Sequence, residues 1–568
     1  MRRARLTRRG ALSAACLTLI LGGCATQYGP VIQTGTQVPN TYGHVVNLDQ
    51  GWSEQQQQWF WFVSQGSQLL PYDWYLALEQ PTSAATSTST ITKPELFRSD
   101  PHMTKLGYLV EKPGPGNPVG LPVGFAKDTD RSGKTYVGFT CAACHTNQLD
   151  YKGTGIRIDG APALADNFRL SDELVAALQA TVSDDAKFDR FAHTVLGTGY
   201  SAASAQSLRK DVRAATDVLA TRQRVNKPGH PYGFARLDAF GAILNQVLGA
   251  DLDLPHNYLP SDAPVSYPFI WDTPQSDLVQ WNGAAPNANG GTLARDVGET
   301  LGVYASVSVT HNDDPFKGYK SSADIVALGK IEKALESLWS PQWPAQILPP
   351  IDQAKAAQGQ AIYQQQCASC HAVIDRTDPK RRITAVMVPV NRTETDPVMA
   401  TNFVMREAET GRLQGAKVTD LLSPTFGSEA TGVDVLTNVV VGAILGQKGE
   451  TMAAGVTEYM QLKRARTFAP RSYKARPLDG IWATAPYLHN GSVPNLWELL
   501  QEPASRVKQF YVGSREFDPV KVGYDTRPFD GGYKFDTTLH GDSNAGHRWG
   551  TKLSDDQKWA LIEYIKTL

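Results

Sequence analysis

Two Cys-x-x-Cys-His pentads constrain this chain more than any other feature. They are Cys141-Ala142-Ala143-Cys144-His145 and Cys367-Ala368-Ser369-Cys370-His371. The spacing is that of covalent c-type haem attachment. The two thiols add across the two vinyl groups of one porphyrin, and the next residue, His, is held beneath the iron as its proximal ligand. One such pentad is a good signal, and two in one chain are a strong one. The competing reading is a zinc site built from two Cys-x-x-Cys pairs. It is disfavoured because both pairs carry His at the same next position. A thioredoxin-like redox pair is disfavoured further.

The chain has six cysteines, and the remaining two, Cys16 and Cys24, lie in the first 24 residues. Arg2, Arg3, Arg5, Arg8 and Arg9 form a basic start, and Ala11 to Leu21 is an apolar stretch too short to span a bilayer comfortably. Residues 1–23 therefore read as an export signal. Leu21-Gly22-Gly23-Cys24 is similar to a bacterial lipobox, in which Cys24 is lipidated. An ordinary cleaved signal with an incidental cysteine is the alternative. Thr7-Arg8-Arg9 faintly suggests twin-arginine export. Haem is attached to an unfolded chain after export, which favours the general secretory route. The expected location is the periplasm or the outer membrane of a Gram-negative bacterium, with membrane contact only through the lipid at Cys24.

Formal charge is nearly balanced at −1, and loss of the arginine-rich leader leaves the rest mildly acidic. Nucleic-acid binding has no support from this balance. With 568 residues the chain has room for two or more cores. Residues 24–95 read as a tether followed by an aromatic-rich segment, Trp59 to Leu78, that packs on the core. Thr82 to Thr90 is low-complexity and reads as a surface loop. Helical patterns run over Asp172 to Leu196 and Arg236 to Leu248. Residues 251–295 are loop-like, rich in Pro, Asn and Gly. Ser340 to Pro350 holds four prolines and is the best domain boundary. This gives a first haem domain with insertions at 96–340 and a second at 341–568. In the second, Gln353 to Gln366 predicts a helix leading into Cys367, with Gly359 and Tyr363 on one face. Ser554 to Leu568 predicts a terminal helix, opened by a Ser554/Gln557 capping box and buried through Trp559, Ile562, Tyr564 and Ile565. A helix leading into the pentad and a terminal helix crossing it are the frame of a cytochrome c domain.

Residues 477–500, PLDGIWATAPYLHNGSVPNLWELL, resemble the Thr-Ala-Pro-Tyr-x-His-[Asn/Asp]-Gly segment of bacterial di-haem cytochrome c peroxidases. Ile270-Trp271-Asp272 resembles the Phe-Trp-Asp segment of that superfamily, whose Trp lies between the haems. The closer match is to its rubber-oxygenase branch. It covers most of the mature chain, including Gly541-Asp542-Ser543-Asn544-Ala545-Gly546-His547. That branch also contains di-haem fatty-acid dioxygenases. The resemblance implies a mainly α fold of two cytochrome c-type haem domains, the first enlarged by helices and loops.

It also implies two unequal irons. The peroxidases place a distal His shortly after the first pentad. Here that stretch is Gly160-Ala161-Pro162-Ala163, so the first haem, backed by His145, is expected to have an open position. The peroxidases give the second haem a Met soon after His-Asn-Gly, and residues 490–515 contain no Met or His. The oxygenase branch uses the His of its Asn-Ala-Gly-His segment, which falls on His547, to close the iron backed by His371. His540 is the runner-up. His489 is expected to be structural or a hydrogen-bond donor near haem. The peroxidase Glu motif is absent after Trp271: from Asn287 on, no carboxylate comes until Asp296, and Glu299 is the candidate substitute. Phe269, Ile270 and Trp281 are candidates for lining a substrate pocket, with core packing an equal alternative. Trp271 is the candidate bridge between haems. A calcium ion of the superfamily would use Thr484 and Pro486, with Asn167 as a third donor.

The expected function is an exported di-haem oxygenase acting with O2 on double bonds of an apolar small molecule or polymer, a polyisoprenoid or unsaturated fatty acid. The two haem c groups would be its cofactors, the second relaying electrons. The alternatives are a peroxidase reducing H2O2, fed by a small periplasmic donor, and a non-enzymatic electron-transfer cytochrome.

Overall fold

The computed structural model describes residues 38–39, 44–81, 94–287, 291–311, 314, 317–378, 380–417, 425–447, 449–451 and 471–568. The export signal, Cys24 and the Thr82 to Thr90 segment lie outside the described residues. Helix accounts for 38% and strand for 16% of the described residues, so the architecture is mixed helix and sheet. The strands are short, most of two to four residues. Segments that brief carry no period-two pattern, which is why the mainly α expectation did not anticipate them.

The longest strands follow the first pentad directly. Thr146–Tyr151 and Thr154–Asp159 form an antiparallel hairpin, extended to four strands by Val45–Asn47 and Val38–Pro39. Its two-residue turn is Lys152-Gly153, both with positive φ, as a type I′ hairpin turn requires. The hairpin returns the chain to its start: Gly160 N–H donates to His145 O at 2.7 Å, and Ala163 N–H to Cys144 O at 2.9 Å. The Gly160 to Ala163 stretch thus lies against the pentad's own backbone. Ile270 N–H then donates to Gly160 O at 2.9 Å, which docks the Phe269-Ile270-Trp271 run alongside. Gly160 has φ +76°, and a Cβ there would press on Leu338 and the Trp271 ring.

The two helices of the second pentad form where their sequence patterns place them. Gln353–Gln366 starts at Asp352, whose side chain accepts from Lys355 N–H, and ends at Cys367. Asp555–Ile565 starts at Ser554 with the full Ser554/Gln557 capping box. They cross at Gly359, where any Cβ would collide with Ala560 O. Tyr363 meets Tyr564 with ring centres 5.2 Å apart, and its hydroxyl donates to His371 O at 2.7 Å. Trp559 stacks on Trp497 at 4.0 Å.

Two helical expectations are corrected. Asp172 to Leu196 is two helices, Asn167–Ser183 and Asp185–Leu196, because Asp184 caps the second by accepting from Lys187 N–H. Arg236 to Leu248 is not one helix. Arg236–Leu237 is a strand paired with Val265–Ser266, Ala239–Leu244 is helical, and Asn245–Asp251 continues as a π-helix. Arg236 is fully buried and ion-paired with Asp542 at 2.5 Å, so a tertiary charge outweighs the local helical pattern. The main hydrophobic core runs without a break from Leu48 to Ile565. It includes Trp343 and Leu348 of the proline-rich segment and residues on both sides of it. A second core lies under the helices of residues 167–225.

Candidate haem centres

Both pentads fold as the same turn. His145 N–H donates to Cys141 O and His371 N–H to Cys367 O, each at 2.9 Å. Both imidazoles are fixed by a carbonyl. His145 Nδ1 lies 2.8 Å from Pro268 O, and His371 Nδ1 lies 2.7 Å from Arg476 O. Each Nδ1 carries the proton for that bond, so each Nε2 is left with a lone pair for a metal. Burial pushes His145 down to about 4 and lowers His371 as well. Both rings are thereby kept in the neutral form that ligation needs.

His547 faces His371. The ring centres are 6.5 Å apart. Two imidazoles on opposite faces of one iron, with metal–nitrogen bonds of about 2 Å, would have ring centres about 6–6.5 Å apart. His547 Nδ1 is buried with no hydrogen-bond partner, and burial pushes the ring down to about 3. These residues fit a haem held at Cys367 and Cys370 between two histidines. The His547 segment is clamped by its backbone. Arg506, almost wholly buried, donates to Asn544 O, Gly546 O and His547 O at 2.7–3.0 Å. Asn490 Nδ2 donates to Gly541 O and Ser543 O, and Ser492 Oγ to Ser543 O. The two motifs read separately in the sequence thus form one structure. Gly546 packs directly on the backbone of Thr393 to Thr395, and His547 N–H donates to Thr393 O.

His540 is on the surface, ion-paired with Asp262 at 3.2 Å. His489 is buried, stacked on Tyr473 with ring centres 4.0 Å apart. Thr484 Oγ1 donates to Ile481 O, and Asn167 begins the helix after Asp166. Among the described residues no cluster of three or more His, Cys, Asp or Glu side chains is arranged to hold a metal ion.

His145 has different surroundings. With Cys141 it opens into a cleft enclosing about 610 Å³, part of it open to solvent. Phe269, Ile270 and Trp281 line it, as do Val279, Ile331 and Leu335. No second histidine or methionine is among the described residues lining it. Trp271 lies one layer back, fully buried and stacked under Phe269 at 4.5 Å and 13°. Its Nε1–H donates to Asp479 O at 3.0 Å.

The sequence reading missed most of the charge in this cleft. Arg295, Asp296 and Glu299 come from the helix Gly291–Gly302, and Glu332 from Ile325–Leu335. Arg295 pairs with Glu332 and, at 3.2 Å, with Asp296. Burial, then the neighbouring Glu332, hold the Asp296 carboxyl far above its ordinary range. Burial also raises Glu299, which accepts a hydrogen bond from Gln280 at 2.5 Å. Lys474 lies in the strand Ser472–Ala475, which pairs with Val386–Pro389, and Arg476 directly follows it. Burial lowers both, Arg476 to about 9. Asp296 and Glu299 were found as the carboxylates following Asn287, but spacing offered no signal for Arg295, Glu332, Lys474 and Arg476, because the fold collects them from three remote segments.

These features define a protein of the c-type haem class. Residues 472–511, from the strand carrying Lys474 through the Asn490 segment, match the family model described as RoxA-like, cytochrome c-like. The match supports the rubber-oxygenase-like cytochrome c branch, covalent haem c and a haem-related oxidoreductase. The chain is 34% identical to the uncharacterized protein y4iJ of Sinorhizobium fredii (strain NBRC 101917 / NGR234), over 92% of this chain and 93% of that one, and it belongs to the same family. It is also 27% identical to the uncharacterized protein y4iM of the same strain, over 55% of this chain and 66% of that one.

Proposed function

We propose that the protein is an exported di-haem oxidoreductase that oxygenates double bonds of an apolar substrate, a polyisoprenoid or an unsaturated fatty acid. The observation that carries this reading is the inequality of the two sites. His371 faces a second imidazole, while His145 opens into a cleft lined by no other histidine among the described residues. When bound, an iron with a free position supplies dioxygen or peroxide binding, and one closed by two protein ligands supplies electron transfer. The chain itself orients His145 through Pro268 O and His371 through Arg476 O. Phe269, Ile270 and Trp281 offer apolar surface to a substrate and exclude water from it. Trp271, stacked under Phe269, is the proposed bridge between the sites. A lipid anchor at Cys24, a calcium held by Thr484, Pro486 and Asn167, and cytochrome c-type domains at 96–340 and 341–568 belong to the same proposal. Incubating the purified holoprotein with rubber oligomers or unsaturated fatty acids under air, followed by mass spectrometry, tests it. Absence of oxygen incorporation would remove these substrate classes.

Glu299 and Asp296 in the cleft favour a second reading, a peroxidase. A carboxyl whose proton affinity is raised by burial is able to pass a proton at its own oxygen, the acid–base work that peroxide cleavage needs. Fast peroxide turnover with a reduced small cytochrome, lost in Glu299→Gln, would select this reading. Two six-coordinate, low-spin haems inert to carbon monoxide and cyanide would instead select a non-enzymatic electron carrier.

A further inference from the structure

Arg476, half-buried, touches both candidate haem sites. Its carbonyl oxygen accepts from His371 Nδ1 at 2.7 Å. Its guanidinium lies 3.6 Å from the Phe269 ring centre and 4.7 Å from that of Trp281. Phe269 directly follows Pro268, whose carbonyl holds His145 at 2.8 Å. A short path therefore joins the two histidines: His145 to Pro268, Phe269 to the guanidinium above it, and the Arg476 backbone to His371. The guanidinium also lines the cleft with Cys141 and His145.

This cation is poorly compensated. Its hydrogen bond is a long one, 3.4 Å, to Phe269 O. Among the described residues no carboxylate lies within ion-pair distance of it. Asp479 and Asp272 act on it only from beyond ion-pair distance. Asp272 is already committed to Arg381 at 2.6 Å. Lys474 and Arg295 stand beside it in the cleft, and Arg295 is taken by Glu332 and Asp296. A half-buried cation without a partner carries an uncompensated desolvation cost, so an anion is expected to complete it. The two carboxylates of the haem attached at the neighbouring cysteines are anions of the right kind, and guanidinium binds carboxylate in a fixed fork.

We infer that Arg476 is a positioning residue shared by the two haem sites: its carbonyl orients His371, and its guanidinium takes a propionate carboxylate of the haem attached at Cys141 and Cys144. This rests on the two-haem reading above. A fixed positive charge favours the reduced iron, which carries one positive charge less. Arg476 thus raises the reduction potential of the first centre through its side chain. It leaves the second centre's histidine bond to its backbone, which a side-chain change preserves.

The test is a spectroelectrochemical titration of the full-length holoprotein, with haem content checked by mass. Arg476→Met is expected to keep two haems and to lower the potential of the first centre, with a smaller shift at the second. Arg476→Lys, which keeps the charge, should stay near wild type. Two attached haems with an unmoved first potential in Arg476→Met would overturn the inference and leave the two-haem reading standing. Fewer than two haems in the wild type would overturn both. A crystal structure of the wild-type holoprotein decides the matter if Arg476→Met does not fold. A guanidinium nitrogen within about 3.2 Å of a propionate oxygen is expected. A guanidinium with no such oxygen in reach refutes the pairing.

Discussion

Around Cys367–His371 the fold supplies a second imidazole, a clamp on the segment that carries it, and a helix crossing closed by a glycine. Around Cys141–His145 it supplies a cleft with six charged side chains and an aromatic wall. The turns themselves are alike, down to the same hydrogen bond from His to the first Cys and the same bond from Nδ1 to a carbonyl. What the comparison teaches is that a pentad sets up attachment and one axial ligand, and nothing more. The character of each site is imposed by segments far away in the chain.

The largest effects should come from removing the attachment at one site alone. Cys141→Ser with Cys144→Ser is expected to leave one covalent haem, bound at Cys367 and Cys370, and no detectable oxygenation; mass spectrometry of the intact chain counts the haems. Substrate turnover at wild-type rate in this variant would reverse the assignment of the two sites. Next in size is His547→Ala. It should convert a six-coordinate, low-spin signal to a five-coordinate, high-spin one at the second centre. Turnover should fall about 10–100-fold, the usual scale for disturbing a metal's supporting groups. An unchanged spectrum would show that His547 is not a ligand. Smaller again is Asn490→Ala, which takes the side-chain donor from Gly541 O and leaves Ser543 O with Ser492 alone, at about 1–3 kcal/mol of stability. Its spectral change should be confined to the second haem, and a change at the first would break the comparison.

The smallest effect sharpens the comparison by lying outside both sites. Burial pushes the Asp251 carboxyl up to about 7, and its Oδ2 has no partner. The folded state therefore prefers the neutral acid. The cost of ionising it is absent below its ordinary value near 3.8, grows as pH rises, and is complete above about 7. Asp251→Asn should stabilise by about 1–2 kcal/mol at pH 8 and by nothing near pH 3.5, measured by denaturant melts. Both haem spectra should stay as they were.

Local patterns made part of this legible. The pentads are contiguous, and the helices at Gln353–Gln366 and Asp555–Ile565 are set by caps and an apolar face within their own residues. Ile270 and His547 were reached through motif resemblance, Phe269 and Trp281 as candidates for an apolar lining, and the fold places each beside a pentad histidine. Lys474, Arg476, Arg295 and Glu332 were not reached, because a charged residue in sequence gives no sign that it is buried. The same blindness misread Arg236, whose pairing with Asp542 lies across the whole chain.

The strand Ser472–Ala475 has a consequence for how such a protein is divisible. Two pentads in one chain suggest an ancestral duplication whose halves could still be parted. Here the first cleft is finished by Lys474 and Arg476, which lie well past the second pentad. A fragment ending at the proline-rich segment would carry the first haem's cysteines without the cations of its own pocket. The halves are no longer modular. Recombination between relatives should preserve function only when residues 472–476 travel with the cleft they complete.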